Sequence, residues 1–255
     1  MAENKLILDK VFRKFRKTIE TYGLLSDGDR ILVGLSGGKD SLALLEMLGR
    51  KMQSPKPKFS LVALHVSMAN IPYQADYEYL KNFAEKCGAE FVHVTTSFDP
   101  TTDKRKSPCF LCSWNRRKML FTVAKEMKCN KIALGHHRDD VLQTLLMNLT
   151  FQGSFGTMPP LLKMNKFDMT IIRPMSEIDE EEIQTMAQIQ NYQKQEKNCP
   201  YEEDSHRSEM KEVLSRLRMM NPNVANSMWN AMTNIQEEYL PKKEKDLSVS
   251  DNNLG

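Results

Sequence analysis

Six consecutive residues, Ser36-Gly37-Gly38-Lys39-Asp40-Ser41, have the make-up of a phosphate-binding turn. The two glycines give the backbone dihedrals that a Cβ forbids and let its N–H groups come close to an anion. Lys39 adds a mobile cation, and Ser36 and Ser41 add hydroxyl donors. A Walker A loop needs Ser or Thr directly after Gly-Lys, and Asp40 stands there instead. A second cluster, Gly135-His136-His137-Arg138-Asp139-Asp140, offers carboxylates that can hold Mg²⁺ through oxygen or cap the start of a helix. A third lies within Thr101 to Lys118, where Lys104, Arg105, Lys106, Arg116, Arg117 and Lys118 surround Cys109-Phe110-Leu111-Cys112 and Trp114. Basic groups neutralise a phosphate backbone while aromatic faces stack on unpaired bases, the combination that holds single-stranded RNA loops. The same composition also describes a charged helix start anchored to a core by its aromatics.

These groups need elements to position them. Ile31 to Leu45 (ILVGLSGGKDSLALL) reads as strand, tight turn and helix, with the positive end of the helix aimed at the turn. Phe59 to Val66 is a second strand, Glu90 to Val94 a third, Lys131 to Leu134 a fourth and Met169 to Pro174 a fifth. Helices are expected at Lys5 to Leu25, Ala75 to Cys87, Val141 to Leu149, Asp179 to Tyr192, His206 to Met220 and Val224 to Tyr239. The first of them sets an apolar stripe of Leu8, Val11, Phe12, Phe15, Ile19 and Tyr22 against a basic face, solvated or in contact with RNA. Strands alternating with helices indicate right-handed βαβ units and an α/β fold with a doubly wound, mostly parallel sheet and a helical C-terminal extension. Its ligand would lie at the carboxyl ends of the strands. His65, at the end of the second strand, either meets an adenine there or is a satisfied core histidine.

With 255 residues, 40% of them hydrophobic, the chain can bury a full core, and its formal net charge of +3 leaves any nucleic-acid argument to the placement of basic residues. Met1 to Phe15 mixes Glu3, Lys5, Asp9 and Lys10 with apolar residues, unlike a signal peptide, and no apolar run is long enough to span a bilayer. A cytoplasmic location is therefore expected, with the five cysteines serving as metal ligands, catalysts or core filler before disulfides. Cys87 and Cys129 sit near helix ends among core-like neighbours. The expected segments are a basic amphipathic helix at 1–27, an ATP-binding domain at 28–178, a helical part at 179–240 and a disordered tail at 241–255.

SGGKDS resembles the PP-loop of ATP pyrophosphatases. Together with CFLCSWNRRKML at Cys109 to Leu120 and KIALGHHRDDVLQTLLMNL at Lys131 to Leu149, it makes the chain resemble the tRNA 2-thiocytidine synthetases, relatives of the lysidine synthetases in the PP-loop superfamily. The similarity continues through Met158 to Pro160, the IIRPM of Ile171 to Met175 and Met228 to Ile235. It implies an adenine nucleotide alpha-hydrolase-like fold and ATP-dependent thiolation of tRNA, with the C2 carbonyl of cytidine 32 adenylated and its oxygen replaced by sulfur. It also implies Mg²⁺ and a [4Fe-4S] cluster held by Cys109 and Cys112, by motif, and Cys199, by position. ATP would be bound by Ser36, Gly37, Gly38, Lys39, Asp40, Ser41, His65, Gly135 and Asp140; Lys39, Asp40 and Asp139 would act in catalysis; and tRNA would meet Lys104, Arg105, Lys106, Arg116 and Arg117. A cysteine desulfurase is the implied sulfur donor, and a homodimer is among the assemblies the resemblance allows.

Cys199 is followed by Pro-Tyr-Glu-Glu-Asp where the family often has a second C-x-x-C, and a Cys-Pro pair there is also found in related uridine-thiolating enzymes. A 2-thiouridine synthetase or a lysidine-synthetase-like ligase is thus the alternative activity. The alternatives to the cluster are a zinc site completed by His206 or another residue, and a thiol or persulfide relay.

Overall fold

The computed structural model describes residues 2–71, 75–99, 107–165, 167–193 and 206–241; Lys104, Arg105, Lys106, Cys199 and the expected tail from 242 lie outside the described residues. The chain divides into two compact units, Met1–Lys211 and Glu212–Gly255.

The first unit is built on a six-stranded sheet in the order β3-β2-β1-β4-β6-β5. Its strands are β1 (Asp29–Gly34), β2 (Phe59–Met68), β3 (Ala89–Thr96), β4 (Lys131–Ala133), β5 (Leu161–Lys163) and β6 (Thr170–Ile172). Every pairing is parallel except β5 on β6, where Leu161 faces Ile172 and Lys163 faces Thr170. The expected doubly wound, mostly parallel sheet is present. The antiparallel edge strand β5 is an addition to the five strands expected.

Helices cover both faces, as the near-continuous apolar strands require. Alternate residues of the strands sort into two cores. Ile31, Val33, Leu61 and Ala63 pack with Val11, Phe15 and Ile19 of α1 (Ala2–Tyr22), with α2 (Lys39–Met52) and α3 (Tyr77–Lys86), and with Ile183 and Met186 of α6 (Glu180–Ile189). Leu32, Val62, Leu64 and Ile132 pack with Val123 and Ala124 of α4 (Pro108–Glu126). On α1, Lys10, Arg13, Arg16 and Lys17 stay exposed opposite the buried stripe.

At the amino end of the sheet, the Lys131 ammonium is held by Asp29 Oδ2 at 2.7 Å and the Leu24 carbonyl at 2.9 Å, tying the starts of β1 and β4 together. The opposite, carboxyl end is left for loops. Strand order reverses between β1 and β4, and this switch point is where a doubly wound sheet opens a crevice.

α5 (Arg138–Met147) runs on into a π-helical turn at Asn148–Gln152, closed by Gly153 in the left-handed conformation. α7 spans His206–Met220. In the second unit α8 covers Val224–Ala231, and a 3-10 turn follows at Glu237–Tyr239. α8 is shorter than the expected Val224 to Tyr239. The Thr233 hydroxyl donates to the Asn230 carbonyl, and the N–H groups of Thr233 and Asn234 bond three residues back instead of four. No helix of the described residues is long and apolar enough to cross a membrane.

Candidate nucleotide and cysteine site

The turn after β1 is shaped by its small residues. Gly37 has φ +83°, open to glycine at little cost, and Gly38 is the N-cap of α2. No side chain caps that helix, so its first N–H groups are left for an anion. The Ser41 hydroxyl donates to the Gly38 carbonyl at 2.9 Å, while the Ser36 hydroxyl bonds Ser41 Oγ at 3.2 Å. The turn after β4 closes on the same spot. A Cβ on Gly135 would lie 3.0 Å from the Asp40 carbonyl oxygen, so the two turns meet backbone to backbone.

Between them opens a cavity of about 580 Å³. The first turn contributes Ser36, Asp40 and Ser41, and the second contributes Gly135, His136 and Asp140. β2 adds Leu64, His65 and Val66, α4 adds Cys109, Cys112 and Arg116, and α7 adds Arg207. Three clusters far apart in sequence thus line one space. An apolar wall, phosphate-type amides, carboxylates and thiols all face it.

Within the second turn the two aspartates part company. His137 is the N-cap of α5 and forms a capping box with Asp140, whose Oδ2 accepts from the His137 N–H at 3.1 Å. Asp140 also faces the cavity, with Oδ1 3.8 Å from the Arg207 guanidinium. Asp139 is 3% exposed, and its Oδ2 accepts the Glu180 N–H at 2.9 Å; it does not line the cavity. Arg138 clamps Asp179 with two bonds of 2.7 and 2.5 Å, so α6 is docked on this turn by both residues.

Lys39 also lies beside the cavity and not on its lining. Its ammonium donates to Asp40 Oδ1 at 2.9 Å and to Glu180 Oε1 at 3.4 Å. Burial works against its charge, but Asp40 and Glu180 outweigh burial and hold its pKa above the ordinary lysine value. Glu180 is held below the usual carboxylate range: burial opposes ionisation, and Lys211, at 2.9 Å, and Lys39 overcome it.

His65 is buried, and its Nδ1–H donates to the Leu35 carbonyl at 2.8 Å, which fixes the ring at the cavity wall. Burial holds its pKa below the ordinary value. His65 is thus a buried residue that also lines the cavity.

α4 begins with Ser107 as N-cap, accepting from the Phe110 N–H, and with Pro108 in its first turn. Cys109 and Cys112 are three residues apart on that helix and share its cavity face. Cys112 packs on Met68, Ile71 and Phe98. Phe110 and Trp114 are about half exposed, at 47% and 51%, and the Lys118 ammonium lies 5.6 Å over the Trp114 ring. Arg117 is exposed, whereas the Arg116 Nε is buried with no hydrogen-bond partner among the described residues.

The donor set suits a nucleotide and a cysteine-held metal group in different ways. Open helix-start amides and a glycine cradle fit phosphates. Two thiols at helical spacing can serve as two ligands of a metal group; among the described residues there is no cluster of three or more His, Cys, Asp or Glu side chains placed to bind a metal. By contrast, burial pushes the Cys87 thiol up to about 12, and burial also raises Cys129. Both are packed against the core.

His136, Arg173 and Arg207 belong to the neighbourhood without having been singled out as site residues in the sequence. His136 lay inside the quoted Gly135-to-Asp140 cluster and Arg173 inside IIRPM, so their signal was present. Arg207 had none beyond its charge.

The chain is similar to known proteins over most of its length. Residues 7–219 match the PP-loop domain. The tRNA-cytidine(32) 2-sulfurtransferase of Geobacter sulfurreducens is 34% identical over 238 residues, 91% of each chain. That of Geobacter metallireducens is 33% identical over 92% of this chain and 95% of its own. Among solved structures, the U34-tRNA thiolase NcsA from Methanococcus maripaludis with its [4Fe-4S] cluster superposes with a TM-score of 0.75 at 28% identity, covering 94% of this chain and 82% of that one. The chain belongs to the PP-loop family, and the tRNA-cytidine(32) 2-sulfurtransferases are its relatives within it.

Proposed function

We propose that the protein is an ATP-dependent tRNA sulfurtransferase that converts cytidine 32 of the anticodon loop to 2-thiocytidine. The observation that carries this reading is the convergence of Cys109 and Cys112 with the Ser36-to-Ser41 turn on one cavity. A ligase that attaches an amine has no use for thiols there. An RNA-binding module without catalysis has no use for the phosphate turn. The names of the curated relatives favour cytidine over the uridine of the structural neighbour.

A pyrimidine carbonyl oxygen is a poor leaving group. In the first step it attacks the α-phosphorus of ATP, and the bond to pyrophosphate breaks. Sulfur then adds at C2, and the C2–O bond breaks with AMP as the departing group. The free N–H groups at the start of α2 bind the phosphates, and Lys39, swinging from Glu180, offsets the charge that builds on pyrophosphate. Asp40 and Asp140 are the cavity carboxylates that would hold Mg²⁺, which would offset charge on the phosphates. Asp139 supports the site through Glu180 and α6.

Cys109, Cys112 and Cys199 would hold a [4Fe-4S] cluster through three thiolates, and the cluster would supply the sulfur chemistry at the activated carbon. With those cysteines serving as ligands and Cys87 and Cys129 packed against the core, the sulfur comes from outside the chain in this reading, and a cysteine desulfurase is the enzyme class that releases it. Phe110, Trp114 and Arg117 are exposed on the helix whose Arg116 lines the cavity, and they offer stacking faces and cations to the anticodon loop, with Lys104, Arg105 and Lys106 preceding them in the chain.

Iron, acid-labile sulfide and zinc measured after anaerobic purification test this assignment. The reading expects about four irons and four sulfides per chain, lost in both Cys109→Ala and Cys199→Ala. Zinc in stoichiometric amount without sulfide contradicts it.

A further inference from the structure

β6 ends at the carboxyl edge of the sheet, and Arg173 follows it with only 6% of its surface exposed. Its Nε–H donates to His136 Nδ1 at 3.3 Å, and a terminal N–H donates to the Pro159 carbonyl at 2.8 Å. The backbone N–H of Arg173 donates to the Pro160 carbonyl at 2.8 Å, which fixes the base of the side chain as well. No carboxylate pairs with it among the described residues. Burial and the charge of Arg117 lower its pKa to about 10, which leaves it protonated at neutral pH. A buried guanidinium without a counter-charge is costly, so its bonds have to be satisfied by fixed acceptors. His136 is one of these.

A histidine nitrogen that accepts from a guanidinium carries no proton, so the proton of the neutral ring is on Nε2. His136 lines the cavity directly after Gly135, the residue that lies against the Asp40 backbone in the phosphate turn. Burial drives the His136 pKa down to about 4; Asp140 opposes this, and the charges of Arg173, Arg207 and His137 act with burial. The ring is therefore neutral where the protein would work.

We propose that Arg173 is a positioning residue that locks His136 as its neutral Nε2–H tautomer, so that the ring donates a hydrogen bond to a phosphoryl oxygen of the nucleotide in the cavity. The lock stands on the geometry of Arg173 and His136 alone, and the identity of the acceptor rests on the ATP reading above. A neutral donor stabilises charge that builds on such an oxygen without surrendering its proton. A guanidinium suits this task because its planar fork bonds the ring and the Pro159 carbonyl together.

¹⁵N-detected imidazole spectra test the lock directly, with His136 assigned by the signal lost in His136→Gln. Wild type is expected to show a protonated Nε2 and a bare Nδ1 from roughly pH 6 to 8, and Nε2 to shift when a non-hydrolysable ATP analogue is added but not with RNA alone. In Arg173→Met the ring becomes a mixture of tautomers. The kcat for AMP formation falls about 10- to 100-fold, KM for ATP changes less than about threefold, and Arg173→Lys recovers part of the loss. In the His136→Gln background the same Arg173→Met change costs under about twofold. A wild-type ring protonated on Nδ1 overturns the proposal without any variant having to fold, as does an Arg173→Met ring with the wild-type tautomer. An analogue that leaves Nε2 unmoved overturns the nucleotide contact. The tautomer is read without turnover, so a wild type that forms no AMP counts against the sulfurtransferase reading and not against the lock.

Discussion

Gly135 and Asp40 touch through their backbones: a Cβ at 135 would stand 3.0 Å from the Asp40 carbonyl oxygen and 3.1 Å from its carbon. The turn after β4 thereby sets the height of the phosphate turn after β1. Gly135→Ala must push the Asp40 peptide back by a few tenths of an ångström. The expected result is a loss of about 10-fold in kcat/KM for ATP with little change in Tm, because reacting groups are sensitive to small displacements while the core is untouched. Steady-state AMP formation alongside thermal melting checks it; unchanged kinetics would show that the contact does not set the turn.

Asp139 and Asp140 are adjacent, yet they should fail differently. Asp140→Asn is expected to cut AMP formation at least about 100-fold and to raise the Mg²⁺ needed for half-activity, since its carboxylate faces the cavity. Asp139→Ala removes the buried acceptor of the Glu180 N–H and is expected to cost about 1–3 kcal/mol of stability. Denaturation curves and Mg²⁺ titrations of both variants separate the two roles. The reverse assignment of effects would contradict the geometry.

The Lys131–Asp29 pair lies at the other end of the sheet, with side chains 10% and 4% exposed. Lys131→Met leaves a buried carboxylate without its cation, a loss of about 3 kcal/mol or more in urea unfolding. Asp29 keeps bonds from the Ser26 N–H and Asn130 Nδ2, which favours the lower figure. Activity per folded molecule should stay as in wild type, and Lys131→Met combined with Asp29→Asn should recover much of the stability.

Stability should also fall on acidification through the histidine range. The folded His136 pKa of about 4 lies below the ordinary value of 6.5, and His65 is shifted the same way. Between these two values the unfolded chain binds a proton that the folded chain refuses. The His136 contribution is therefore intact above about pH 6.5 and lost progressively toward pH 4, a change on the order of 3 kcal/mol. His136→Gln should flatten that part of the curve. A wild-type stability that is level from pH 6.5 to 4 would contradict the buried, neutral ring.

What was legible in the sequence follows from where local pattern decides structure. β1, the glycine turn and α2 were readable because an apolar run, a forced turn and a helical stripe follow each other within Ile31 to Leu45. β5 was not: it has three residues, of which Leu162 and Lys163 are exposed, and it exists by pairing with β6, a contact no local pattern carries. The π-helical turn at Asn148–Gln152 was hidden in the same way inside an apolar helix. The difference between Asp139 and Asp140 was equally illegible, because neighbours on a helix point about 100° apart and the docking of α6 decides which one faces the cavity. Cys109 and Cys112 could be picked out by spacing, but their meeting with the phosphate turn depends on α4 folding back over β1 and β2.

The central claim is tested most directly by the modified nucleoside. Unmodified tRNA is incubated anaerobically with the purified protein, ATP, Mg²⁺ and a sulfide source, then digested and analysed by mass spectrometry. The account predicts 2-thiocytidine at position 32, formed only with ATP and accompanied by AMP, and absent with Cys109→Ala. Formation of 2-thiouridine in its place, or of no thionucleoside at all by a protein that carries its full complement of iron and sulfide, would contradict it.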